Sequence, residues 1–344
     1  MKQLHILDLK RPLSFSLMVA SAVISGSLSL QAESRTMTLP EIPEAVTSFG
    51  AAVEGETLYI YGGHMGVAHG YSVDDQSDKL FSLSLNNPTE WQELPSGPRL
   101  QGLAMVAHNG SLYRLGGFSA MNEETEAHDL VSSAECARFD LKSKSWEPLP
   151  ALPEPRSSFD AVVHNDVIYV LGGWAMYGKD KGDESKWHDT ALQLDLNQQP
   201  LEWKEMPAPP FQRRALSAAA LGNKIYAIGG MKPEGGPTRE VDVFDLETQT
   251  WSKGPELPGE KGMEGFGNSG FSVGGDLFCS TISGSLYQLA QNGSEWTKTQ
   301  DLPNKRFFHR MVPYQDNSLL FVGGASMEDG KVLAVDHVLV PEKK

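Results

Sequence analysis

Short apolar runs, bounded by glycine, proline and polar clusters, recur along nearly the whole chain at lengths suited to strands. One run keeps returning and ends in paired glycines. It reads Leu58-Tyr59-Ile60-Tyr61-Gly62-Gly63, Leu112-Tyr113-Arg114-Leu115-Gly116-Gly117, Ile168-Tyr169-Val170-Leu171-Gly172-Gly173, Ile225-Tyr226-Ala227-Ile228-Gly229-Gly230 and Leu320-Phe321-Val322-Gly323-Gly324. The first four copies lie 54 to 57 residues apart, and the last follows after 94, about two periods. A second run, led by Trp and closed by Pro, alternates with the first: Trp91 to Pro95, Trp146 to Pro150, Trp203 to Pro207, Trp251 with Leu257-Pro258, and Trp296 with Leu302-Pro303. Trp296 falls in the long gap, so a repeat stands there without its glycines. Its strand is Leu277-Phe278-Cys279-Ser280-Thr281-Ile282. Six repeats result.

A Tyr-rich strand ending in Gly-Gly, followed by Trp and a Leu-Pro ending, resembles the kelch family. The resemblance spans essentially all of residues 33–344 and implies an all-β fold, a six-bladed kelch β-propeller of four-stranded antiparallel blades. A lone blade cannot bury both faces, whereas a ring of stacked neighbours buries all of them. The blades are expected near 46–95, 99–150, 156–207, 213–258, 264–303 and 306–340. The sixth repeat has three strands, near 307–312, 318–322 and 332–340, and no Trp strand. Thr36-Met37-Thr38-Leu39-Pro40 matches the missing Leu-Pro ending, so the segment at 35–40 is expected to complete the last blade and remove an open edge.

Residues 1–32 stand apart. Lys2, Lys10 and Arg11 precede the uncharged stretch from Leu13 to Leu30, and Ala32 offers a small residue for cleavage. The expectation is a signal peptide and an exported protein, periplasmic or extracellular, with no membrane span after removal; an uncleaved anchor is the alternative. The net charge of −15 argues against a nucleic-acid surface. The two cysteines, Cys136 and Cys279, fall in opposite blades, too far apart to bridge, and are expected as buried free thiols.

In a four-stranded blade, the links after strand two and after strand four open on one face. The first class is long in blades 1 to 3. Gly63 to Ser77 carries His64, His69, Tyr71, Asp74 and Asp75. Gly117 to Leu130 carries Phe118 and His128, and Gly173 to Asp189 carries Trp174, Tyr177, Lys179, Asp180, Trp187 and His188. Long links in a compact domain tend to be functional. The second class brings Arg99, Arg156, Arg213 with Arg214, and Arg306 to the same face, while Glu44 and Glu264 interrupt the series in blades 1 and 5. Guanidinium forks converging on one funnel suit carboxylate or phosphate; the same forks also suit pairing with acids and carbonyls inside the ring.

The loop histidines lack metal-ligand spacing, and the acidic stretch Asp74 to Asp78 lacks the glycine and distal glutamate of an EF-hand loop, so no metal is expected. Nucleophile-elbow, phosphate-loop and dinucleotide fingerprints are absent from the sequence, and no cofactor is expected. The chain also resembles, distantly, the sialic acid mutarotases, sometimes called epimerases, which use a Glu and an Arg after the second strand of a middle blade. That resemblance implies catalytic roles for Glu234 and Arg239 in Gly229 to Arg239, although Gly230 stands where the family's acid falls. That isomerase reading is the alternative; the expected function is a non-catalytic monomer binding a small acidic sugar or other carboxylated ligand, or a protein, on the loop face. Its ligand contacts would be Arg99, Arg156, Arg214, Arg239, Arg306, His64, Phe118 and Trp174.

Overall fold

A computed structural model describes residues 36–179, 185–259 and 262–341. Residues 1–32, read as a signal peptide, and Asp180 lie outside the described residues. Each repeat forms an antiparallel sheet whose first strand is Gly50–Glu54, Ala104–His108, Asp160–His164, Ser217–Leu221, Ser269–Val273 or Arg310–Tyr314. These inner strands contact one another in ring order, and the last touches the first. The result is a six-bladed β-propeller. Blade 6 begins at Arg310 rather than near residue 307, because residues 306–309 still belong to the preceding link.

Each interface between neighbouring blades has its own apolar core. Alternation supplies both sides: in Thr57–Tyr61, Leu58 and Ile60 face blade 6 while Tyr59 and Tyr61 face blade 2. The outer-strand tryptophans tie one blade to the one before. The indole N–H of Trp146, Trp203, Trp251 and Trp296 donates to the carbonyl of Pro95, Pro150, Pro207 and Pro255 at 2.8–2.9 Å.

Blade 6 has three strands of its own, Arg310–Tyr314, Ser318–Val322 and Val335–Leu339. The chain start runs beside the third: Thr38 bridges Asp336 antiparallel, and the Met37 amide donates to His337 Nδ1 at 2.8 Å. The segment expected to close the ring does so. Cys136 and Cys279 are buried and free, and burial pushes both thiols up to about 12.

Candidate functional site

Four residues before each inner strand, the chain crosses the top of the neighbouring blade at an anchor position: Val46, Leu100, Arg156, Arg213, Gly265 and Arg306. The anchor carbonyl accepts the amide of the preceding blade's second glycine at Gly63, Gly117, Gly173, Gly230 and Gly324. The paired glycines permit this approach. A Cβ on Gly172 would lie 2.4 Å from the Arg213 carbonyl, and its φ is +70°.

The three anchor arginines are consumed by the fold. Arg156 donates to Gly172 O and Thr190 O. Arg213 donates to Gly229 O and Glu240 O and pairs with buried Asp242 at 2.6 Å. Arg306 donates to Phe321, Gly323 and Ala334 carbonyls and pairs with Asp336. All three side chains are fully buried. Arg156 and Arg306 therefore leave the set of expected ligand contacts.

Arg99 lies one position before its anchor, Leu100. It is exposed and held by Val73 O and Asp74 at the rim. Arg239 is occupied by Leu257 O and Glu256, and Glu234 sits exposed on the turn at 232–236. Among the described residues, no hydrogen bond or ion pair joins Glu234 to Arg239.

One residue after the anchor is a shelf position: Thr47, Gln101, Ser157, Arg214, Phe266 and Phe307. In five blades the shelf residue pairs with a short extension built after the glycines. Thr47 pairs with His64, Gln101 with Phe118, Ser157 with Trp174, Arg214 with Met231, and Phe307 with Ala325. The returning arm of each extension then adds Gln76, Ser132, Trp187, Pro237 or Lys331. Blade 5 makes no extension. Its Thr281 amide bonds Ser285 O at 3.0 Å, and the chain turns straight into its third strand. Glycines and extension are absent together, since without an extension there is no close crossing to permit.

The shelf brings Arg214 into the funnel. Its guanidinium lies 4.3 Å from the Trp174 ring centroid and 5.5 Å from that of Trp187. Burial lowers its pKa, and Tyr71, reaching across from blade 1, partly opposes that shift. The Tyr71 phenol is raised by burial, with Arg214 pulling the other way. Among the described residues, no acceptor takes a hydrogen bond from this guanidinium. The buried indole N–H of Trp174 beside it also has no partner.

Tyr71 packs against His64, Phe118 and His128 at ring-centroid distances of 5.0–6.0 Å, so His64 and Phe118 support the Tyr71 side of the mouth. His64 Nε2 lies 2.7 Å from Gly70 O, which fixes the loop carrying Tyr71, and burial lowers its pKa. Lys331 donates to the His64 carbonyl, and desolvation brings its pKa down to about 8. The funnel thus gathers Arg214, Trp174, His64 and Phe118 from the expected set. It adds Lys331, which the motifs did not single out.

The kelch motif family matches residues 212–258, the fourth blade. Among curated proteins, the chain is similar to the kelch-like protein terF of Aspergillus terreus, 25% identical over 227 residues, covering 65% of this chain and 47% of that protein. It is 29% identical over 219 residues to Kelch domain-containing protein 3 of Bos taurus, covering 59% of this chain and 53% of that protein. The chain spans about half the length of these relatives. The solved structure of YjhT superposes with a TM-score of 0.70 at 18% identity, covering 89% of this chain and 98% of that one. Motif, relatives and ring agree: the chain is a six-bladed β-propeller that carries a kelch motif in its fourth blade and is similar in sequence to kelch-repeat proteins.

Proposed function

We propose that this propeller is an exported binding module for a small carboxylated carbohydrate, held in the funnel by Arg214. One observation carries the reading: a half-buried guanidinium, stacked on Trp174, with no acid or carbonyl among the described residues to neutralise it. A desolvated charge left unpaired is costly, and a carboxylate offers the matched bidentate partner. The Trp174 indole N–H gives a second donor beside it, and the aromatic walls suit a sugar face. The isomerase alternative has less support, because the Arg239 guanidinium is already engaged by Leu257 O and Glu256.

The test is a thermal-shift and calorimetric screen of sialic and uronic acids against the protein and Arg214→Ala. A carboxylated sugar should raise the melting temperature of the parent and not of the variant. Sugars that bind both proteins equally, or neither, would sink the reading.

A further inference from the structure

Three features of the funnel mouth depart from sixfold regularity, and all three fall at blade 5 or its junction with blade 6. The first is the missing extension. Phe266 holds the shelf position of blade 5 and, among the described residues, no extension pairs with it, which leaves a gap, or notch, in the row of extensions next to blade 4, whose shelf residue is Arg214.

The second concerns the mouth position, one residue beyond the shelf: Ser48, Gly102, Ser158, Ala215, Gly267 and Phe308. All six adopt left-handed backbone, with φ from 49° to 59°. They hand hydrogen bonds around the channel: Gly102 N to Ser48 O, Ser158 N to Gly102 O, Ala215 N to Ser158 O, Phe308 N to Gly267 O and Ser48 N to Phe308 O, at 2.6–3.2 Å. The sixth link, Gly267 N to Ala215 O, is missing among the described residues. The ring of amides is open at one place, under the notch.

The third is aromatic. Phe266, Phe307 and Phe308 form a half-buried trio with ring centroids 4.9–5.5 Å apart. Phe308 is the bulky exception among mouth residues that are otherwise Gly, Ala or Ser. Left-handed backbone costs such a side chain about 1–2 kcal/mol, and strain of this kind collects at functional positions.

Resting on the reading of Arg214 as a carboxylate contact, we infer that the notch over blade 5 receives the body of the ligand, a pyranose ring lying against Phe266 and Phe307. A hydroxyl both donates and accepts. One sugar hydroxyl can therefore complete the broken link, accepting from the Gly267 amide and donating to the Ala215 carbonyl. A flat aryl carboxylate would satisfy the phenylalanines and leave the link open. The three features thus select a carboxylated sugar over an aromatic acid.

The experiment uses the full chain with Phe266→Leu, Phe307→Leu and Arg214→Ala, since leucine keeps apolar volume and removes the aromatic plate. D-Glucuronic acid and N-acetylneuraminic acid are the probes in calorimetry. Fluorine NMR of 4-fluorophenylalanine-labelled protein reports on the trio. Each leucine variant should weaken binding of the sugar acids about three- to tenfold, the range of an aromatic contact. The resonances of Phe266 and Phe307 should move on titration in the parent and stay still in Arg214→Ala. Benzoate should bind more weakly than either sugar acid. Full-strength binding in both leucine variants with silent fluorine signals would overturn the notch and leave the Arg214 reading standing. Absence of binding by either sugar acid, or binding that survives Arg214→Ala, would overturn both.

Discussion

Arg310 of blade 6 and Asp160 of blade 3 form an ion pair across the central channel, Nη1 to Oδ1 at 2.7 Å. Each is the first residue of its inner strand. Asp160 also accepts the Ala218 amide of blade 4 at 2.8 Å through its other oxygen. Ser217 and Ser269 likewise accept the amides of Gly270 and Met311, at 2.7 and 2.9 Å. Blades 1 and 2 place Gly50 and Ala104 there, which have no acceptor to offer. Arg310 fills that side, donating to Phe49 O and Leu103 O at 2.9 and 3.1 Å. Side-chain acceptors therefore stitch one half of the channel and one arginine stitches the other.

Asp160→Asn should destabilise the ring by about 3 kcal/mol, the scale expected when one partner of a largely buried pair is removed. Arg310→Met should cost a similar amount. Equilibrium unfolding in urea measures both. A change within error for either variant would show that the channel pair does not hold the blades.

Adjacent arginines should behave in opposite ways. Arg213→Met leaves Asp242 buried without its guanidinium partner and removes the hydrogen bonds to the Gly229 and Glu240 carbonyls, so it should cost about 3 kcal/mol or more. Arg214→Ala loses only cation–π contact and should shift stability by about 1 kcal/mol or less. Ligand binding should be lost in the second variant despite its intact melt. Thermal unfolding of the two proteins side by side decides.

Acid should weaken the fold before its carboxylates titrate. His64, His188, His309 and His337 are held neutral because burial disfavours the imidazolium, with His188 lowered to about 4. The unfolded chain takes up these protons near pH 6.5, so below that value it binds more protons than the folded ring. Stability is full above about 6.5 and falls as the pH drops toward 4, with His188 alone accounting for on the order of 3 kcal/mol. His188→Gln should flatten part of that slope in pH-dependent urea titrations; an unchanged slope would count against the assignment.

Deleting residues 34–40 removes the segment whose Thr38 bridges Asp336 and exposes the third strand of blade 6. The expected outcome is a broad, lowered thermal transition by circular dichroism. A variant that melts as sharply as the parent would show closure by other contacts.

Blade number, blade order and ring closure were legible because each has a local cause repeated in the sequence. The glycines mark a backbone crossing, the tryptophans an interblade plate, and Leu39-Pro40 a missing strand. The arginines were less legible, because a shift of one residue separates two fates. Arg156, Arg213 and Arg306 each stand three residues before a core position, Phe159, Leu216 and His309, whereas Arg99 stands four before Leu103. That frame was the available signal for dividing fold arginines from Arg214. The same alignment places Phe266 and Phe307 on the shelf. Lys331 carried no such mark, since its position depends on how the blade 6 extension folds toward His64.

Six near-identical blades would offer an incoming molecule six near-identical seats, and occupancy would be shared among orientations around the axis. Blade 5, by omitting one extension, removes that rotational degeneracy. Together with the unequal links of blades 1 to 3, this creates a compass point on the face, so anything bound there has a defined front and back. The least regular repeat thereby gives the ring its direction.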